Sequence, residues 1–323
     1  MAARISIIIP SWNGKALLAA CLESLRGQTW RDFEVLVVDD GSTDGTGEFV
    51  AQADPAVRVT RLPHNSGFCI ATNTGIRESE GELVFLLNND MTLAPDCLER
   101  LVGTLDVSAA AMAGPLVLWR DEPETVYSAG DLIRVNGRPE NIGYRAPLTG
   151  FALPARVFGV SAGAALVRRS LLDEIGLLDE RFGSYFEDAD LCFRARLAGF
   201  EIALVPEARA YHVGSASLLG TSWKRARQCF RNHALLVIKN MPAPLLLRHG
   251  PAIARERLHQ AARVVSSARC ELGLLRALRV LASTALSLAH ALPHALRERR
   301  RIQRVRRISP AQVEALLSPR PRT

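Results

Sequence analysis

Two acidic segments about a hundred residues apart carry the side chains in this chain that could do chemistry. They are Leu86-Leu87-Asn88-Asn89-Asp90 and Tyr185-Phe186-Glu187-Asp188-Ala189-Asp190. The first closes an apolar run that reads as a strand, and the second opens a helical pattern. Together they suggest a metal-held diphosphate on one side of a reacting carbon and a carboxylate base on the other. A divalent ion across two phosphates neutralises the charge that departs with them. Hard oxygen ligands suit Mg²⁺ or Mn²⁺, and an added imidazole tilts the choice toward Mn²⁺. Asp90 is the expected carboxylate ligand. An attacking hydroxyl needs a base on the face opposite the leaving group, and a positioned carboxylate suffices because the hydroxyl acidifies as the new bond forms. Blander readings stand beside these. Asp90 suits a strand-end turn. Glu187, Asp188 and Asp190 suit a helix N-terminus, although Phe182, Tyr185 and Phe186 just upstream argue against plain exposure.

The elements that must position these groups are legible by period. Residues 5–9 form a continuous apolar run, as in a strand buried on both faces. Residues 15–26 place Leu17, Leu18, Cys21, Leu22 and Leu25 at helical spacing. Strands follow at 33–38, 57–61 and 83–87, and helices at 43–53, 66–79 and 95–106. This alternation predicts an α/β fold with a mostly parallel, doubly wound sheet and helices on both faces. Ligands of such sheets bind outside the carboxyl ends of the strands. Ser11, Asp39, Asp40 and Asn88 to Asp90 all follow strand ends and should share one crevice. Residues 115–160 read as strands and loops over that crevice. A small-residue strand at 160–167, a short helix at 170–175, a helix at 188–197 ended by Gly199, and a strand at 201–205 ended by Pro206 complete the pattern. After about Trp223 the chain reads as helical.

Composition bounds the rest. The 323 residues, 48% hydrophobic and 23% charged, suit a globular protein with a sizeable core. Six scattered cysteines without a Cys-x-x-Cys pair argue for a reducing compartment and against a disulfide framework or zinc site. The short apolar run after Arg4 does not read as a signal peptide. Charge is split: residues 1–240 carry −5 and residues 241–323 carry +12, with 16 Arg, 4 Glu and no Lys in the latter. Such a leucine-rich, arginine-rich tail suggests an anionic partner. It lacks aromatic residues for stacking on single strands, so an anionic membrane surface fits better than nucleic acid. Its apolar stretch 280–292 is too short to span a bilayer, which needs about 20 residues. Pro242 and Pro244 mark a boundary near residue 241. No Gly-x-Gly-x-x-Gly follows the first strand and no Walker lysine is present.

Seven segments in order resemble glycosyltransferase family 2, the inverting enzymes with the GT-A fold, over roughly residues 4–240. They are Ile7-Ile8-Ile9-Pro10-Ser11-Trp12-Asn13-Gly14, Val37-Val38-Asp39-Asp40-Gly41-Ser42-Thr43-Asp44-Gly45, Asn65-Ser66-Gly67-Phe68 with Ala71 and Asn73, Leu86 to Asp90, Phe182 to Leu191, Gly199-Phe200, and Tyr211-His212-Val213-Gly214-Ser215. The chain looks most like bacterial rhamnosyltransferase-type members. One departure is Asn88, where the family's metal motif commonly begins with Asp.

The resemblance implies a GT-A domain at 1–240, with a nucleotide-binding half at about 1–115 and an acceptor half at about 116–240. A helical, basic extension would follow at 241–323. It implies Asp188 as the base, with Glu187 orienting acceptor or base, and His212 as a second metal ligand beside Asp90. The alternative for His212 is a histidine satisfied by a backbone group. Pro10, Ser11, Asn13, Asp39, Asp40, Asn65, Gly67, Asn73 and Asn89 would bind the nucleotide sugar, although the Asp39 to Gly45 run also reads as a helix entry. Arg168 and Arg169 read better as strand-end caps than as phosphate contacts, and Lys224, Arg225 and Arg227 as solvated helix charge than as closers of a diphosphate. The implied reaction moves a sugar, with L-rhamnose the first expectation, from a dTDP- or UDP-linked donor to a glycan or polyprenyl-linked glycan of the cell envelope. The expected setting is cytoplasmic, peripheral on the inner face of the membrane. A non-catalytic nucleotide-sugar binder is the alternative that the paired Asp90 and Asp188 argue against.

Overall fold

The computed structural model describes residues 3–214 and 222–318. Ser215 of the seventh motif lies outside the described residues. The first half alternates as its periodicity requires: β1 (Ile5–Ser11), α1 (Lys15–Arg26), β2 (Phe33–Asp39), α2 (Thr46–Ala53), β3 (Arg58–Arg61), α3 (Phe68–Arg77) and β4 (Leu83–Leu87). There follow β5 (Met91–Leu93), α4 (Cys97–Val107), the long β6 (Ala110–Trp119) and the short β7 (Val126–Ser128), β8 (Asp131–Ile133) and β9 (Pro139–Asn141). The remainder is β10 (Ala164–Arg168), α5 (Arg169–Ile175), α6 (Glu187–Leu197), β11 (Glu201–His212), α7 (Ser222–Asn240), α8 (Ala243–Leu272), α9 (Leu274–Val305) and α10 (Pro310–Leu316).

The main sheet runs β3-β2-β1-β4-β10-β6-β11-β5. Its first four strands are parallel. The second half is mixed, because β10 lies antiparallel between β4 and β6 and β5 lies antiparallel to β11. Alternate residues of the strands feed two cores. Ile5, Ile7, Ile9, Phe85 and Leu87 pack with α1 and α4, while Ile8, Leu36, Val84 and Leu86 pack with α3, α5, α6 and α7. Burial on both faces explains why these strands read as unbroken apolar runs.

The strand expected to end at Pro206 continues to His212. A register shift between Val205 and Arg209 absorbs the proline, a position where a missing backbone N–H is tolerated. That continuation sets His212 opposite Met91 of β5 and hence beside Asp90.

Beyond Asn240, α8 and α9 form a long hairpin packed against α7. A buried ionic knot fastens α7 to the rest. Lys239, only 1% exposed, donates to Asp179 (2.5 Å) and Asp190 (2.9 Å). Asp190 also accepts from Arg194 (2.9 Å) and Asn240 (2.8 Å). So Asp190 is a structural acid and not a helix-end ornament. Lys239 and His294 together hold the Asp179 carboxyl at about 2 against its burial. Arg168 and Arg169 donate to the carbonyls of Leu105 and Gly81, respectively, as strand-end caps. All six cysteines are free.

Removing one partner of a buried pair strands the other charge. Lys239→Ala should therefore lower unfolding free energy by about 3–5 kcal/mol, read from urea denaturation. A change below about 1 kcal/mol, the value of an exposed pair, would show that the knot is not desolvated.

Candidate active site

The carboxyl ends of β1 and β4 open into one cavity of about 1140 Å³. Asp90 and His212 line it at one place and Glu187 and Asp188 at another, although the sequence separates them by a hundred residues. The link between the two groups is β10. Its register pairs Ala164 with Leu87, and the Asn88 N–H donates to the Gly163 carbonyl (2.9 Å). The turn just before β10 supplies Ser161 and Ala162, which bond the Asp188 carboxylate.

At the first place, His212 Nε2 lies 3.2 Å from Asp90 Oδ2. The Tyr127 ring meets the imidazole edge-to-face at 4.4 Å. Asp90 Oδ1, His212 Nδ1 and Asn88 Oδ1 are buried without a hydrogen-bond partner among the described residues. Orphaned buried acceptors are costly unless a ligand completes them. No third His, Cys, Asp or Glu joins the pair among the described residues. A hard cation held here would take its other ligands from phosphate oxygens and water, which is how Mg²⁺-type sites are commonly filled. The residues present fit such an ion. Asn89 Nδ2 donates to Ser11 Oγ (2.9 Å) and crosses directly over Gly14, where a Cβ would collide with it.

At the second place, Tyr185 and Phe186 adopt left-handed backbone, φ 66° and 71°, conformations that cost bulky residues energy. Fully buried Asn232 of α7 holds them there. Its Nδ2 donates to the carbonyls of Phe182, Ser184 and Tyr185 at 2.8–2.9 Å. The loop then enters α6 with Glu187 and Asp188 turned into the cavity. Burial pushes the Asp188 carboxyl up, and hydrogen bonds from Ala189, Ala162 and Ser161 pull it back. Burial and the adjacent Asp188 charge raise Glu187 well above the usual range. A third acid, Asp131 at the start of β8, shares the cavity. Burial and then the Asp188 charge push it up to about 8.

The sequence-derived nucleotide-binding residues divide. Pro10, Ser11, Asp40, Asn65, Gly67 and Asn89 line the cavity. Asp40 is already engaged, accepting from the N–H groups of Ser66 (2.7 Å) and Gly67 (2.8 Å). Asn13 and Asp39 instead pin the loop after β2: Asn13 Oδ1 accepts from Thr43 N–H (2.8 Å) and Asp39 Oδ1 from Ser42 N–H (2.9 Å). Asn73 stands apart from the cavity. It is a buried clasp whose amide donates to the Leu178 carbonyl (2.8 Å) and accepts from the Leu178 N–H (3.1 Å). Of the helix cations, Arg225 lines the cavity and lies 5.3 Å from the Tyr185 ring, whereas Arg227 donates to Thr284 (3.2 Å). Sequence reasoning missed Asp131, Tyr127 and Asn232. Asp131 and Tyr127 sit in the pattern-poor stretch 115–160, and Asn232 sits in a helix whose period signals only packing.

The sequence profile of glycosyl transferase family 2 matches residues 6–176. The protein y4gI of Sinorhizobium fredii is 32% identical over 241 residues, which cover 69% of this chain and 26% of that one. The chain thus spans about a quarter of that relative's length. The N-acetylglucosaminyl-diphospho-decaprenol L-rhamnosyltransferase of Mycobacterium tuberculosis is 32% identical over 238 residues, covering 64% of this chain and 75% of the relative. Among solved structures, GalNAc-T7 with UDP, GalNAc and Mn²⁺ superposes with a TM-score of 0.63 at 18% identity, over 81% of this chain and 51% of that one. This likeness is one of fold.

The raised Asp131 has a consequence for stability. Its folded-state pKa of about 8 lies above the ordinary carboxyl value of 3.8, so the stabilisation is complete below the lower value and is lost as pH rises through the upper one. Asp131→Asn should remove that loss. Wild type and variant should differ little near pH 4, and the variant should be the more stable at pH 9. Parallel stability curves from pH 4 to 9 would contradict the assignment.

Proposed function

The chain belongs to glycosyl transferase family 2, and on that premise we propose that it moves a sugar from a nucleotide-diphosphate donor to a hydroxyl of a glycan or polyprenyl-linked glycan, inverting the anomeric centre. The observation that carries this reading is that Asp90, His212, Glu187 and Asp188 open into one cavity. We read the donor sugar as L-rhamnose on dTDP, with UDP-linked hexoses next. The 32% identity to a protein named as an L-rhamnosyltransferase supports it.

In this reading Asp90 and His212 would hold Mg²⁺ or Mn²⁺, which supplies charge neutralisation for the departing diphosphate. Ser11, Asn65, Gly67 and Asn89 form the wall against the nucleotide. Asp188, oriented by Ala189, Ala162 and Ser161, takes the acceptor hydroxyl proton. Glu187, whose neutral form burial and the Asp188 charge favour, orients the acceptor. Burial and the Asp188 charge both favour the neutral form of Asp131 beside it. Residues 1–240 act as the catalytic unit, and 241–323 serve it as a helical extension.

Replacing a general base costs about 10²–10⁴ in rate. Asp188→Asn should therefore lower kcat by that order while donor binding is retained. Near-normal turnover would overturn the base assignment.

No described helix is long and apolar enough to cross a membrane. Yet α9 exposes Leu275 (76%) and Leu286 (72%), with Leu278 between them on the same face, and arginines flank them. We place this stripe on an anionic membrane surface, cytoplasmic and peripheral, where leucines enter the interface and arginines meet phosphate. The triple variant Leu275→Gln, Leu278→Gln, Leu286→Gln in the full chain should no longer float with phosphatidylglycerol vesicles. Undiminished flotation would remove α9 as the anchor.

A further inference from the structure

The far wall of the cavity comes from α8, beyond the region the family profile matches. Glu256, Gln260, Arg263 and Ser267 all line it. Their spacing of four, three and four residues puts them on one face of a helix. This face is polar where α8 meets the body of the protein, the reverse of ordinary helix packing. Glu256 is 6% exposed and Gln260 is 9% exposed. Asn136 donates to Glu256 Oε2 (3.2 Å), and Gln260 Nε2 donates to Glu256 Oε1 (2.8 Å). Those bonds aim the two side chains and leave Gln260 Oε1 buried with no partner among the described residues. Opposite α8, Arg138, Glu140 and Asn141 of the β8–β9 hairpin line the same cavity. Arg138 there lies 3.9 Å from Glu256 and 3.6 Å from Glu140.

We propose that this face of α8 is an acceptor subsite that binds the hydroxyl groups of an oligosaccharide. Vicinal hydroxyls each offer one donor and accept in turn, which suits a carboxylate, an amide oxygen and a guanidinium set along one helix face. An apolar acceptor tail would leave these groups desolvated and unpaired at a cost. The inference rests on the glycosyl-transfer reading, and its test separates the two.

The labelled full chain, loaded in parallel with dTDP or UDP and Mn²⁺, is applied to an array of defined oligosaccharides. Wild type should retain a subset of them. Gln260→Leu and Arg263→Gln should each weaken that retention about three- to tenfold, the effect of one lost hydrogen bond. Arg263 lies further out on the same face, so its variant reports even if Gln260→Leu perturbs folding. Binding of UDP and of dTDP, followed on the same samples by tryptophan fluorescence, should not change in either variant. If wild type retains no oligosaccharide, or if Arg263→Gln retains the same set equally well, the subsite is refuted. Failure of every nucleotide to bind wild type would instead sink the glycosyl-transfer reading, and the array without nucleotide would still decide the subsite.

Discussion

The antiparallel seat of β10 between β4 and β6 is the constraint on which the site depends. Through it, the Gly163 carbonyl takes the Asn88 N–H, and the residues immediately before, Ser161 and Ala162, hold the Asp188 carboxylate. Two acids that approach from different halves of the chain are thereby fixed through one short turn. Had β10 continued the parallel order, its other end would lie beside Asn88 and the acidic loop would lose its support. The same turn explains the small residues there, since Gly163 lies against the Asn88 side chain.

A second level of support acts on the acidic loop from behind. Asp190 points away from the cavity into the knot of Arg194, Lys239 and Asn240. Two residues along a helix turn by about 200°, so fixing Asp190 inward directs Asp188 outward. Asn232 meanwhile accepts the strain of Tyr185 and Phe186 by binding three carbonyls in one amide. A buried charge network of this kind favours one arrangement because any other leaves charges unpaired. The helix α7 is therefore as much a part of the site as the strands are.

What the sequence made legible follows from the reach of local signals. Apolar runs located β1, β2 and β4, and polar strand ends located Ser11, Asp40 and Asn88 to Asp90 at the cavity. The resemblance, through the segment Asn65 to Asn73, put Asn73 there as well. Its partner, the backbone of Leu178, lies a hundred residues away and leaves no local mark. Asn13 and Asp39 fell to a similar ambiguity: residues that shape a loop beside a ligand resemble residues that would touch it. The direction of β10 is set by pairing with β4 and β6, and Asp131 enters the cavity only because the β8–β9 hairpin folds over it. Neither carries a period.

The basic tail was legible as charge but not as placement. Much of its arginine is used internally. Arg299 donates to the carbonyls of Ile238 and Met241 at 2.7 Å, Arg301 to that of Ile175 at 3.1 Å, and Arg257 to that of Phe230. Those to Ile238, Met241 and Ile175 satisfy carbonyls at helix ends that would otherwise lack partners. A net charge of +12 therefore overstates the free positive surface of residues 241–323. It also changes what the extension is for. A helix hairpin tied to the body by carbonyl-capping arginines is part of the folded unit, so cutting it away would uncover the cavity rather than merely release an anchor. The hairpin thus turns the polar face of α8 toward the cavity and the leucines of α9 toward solvent.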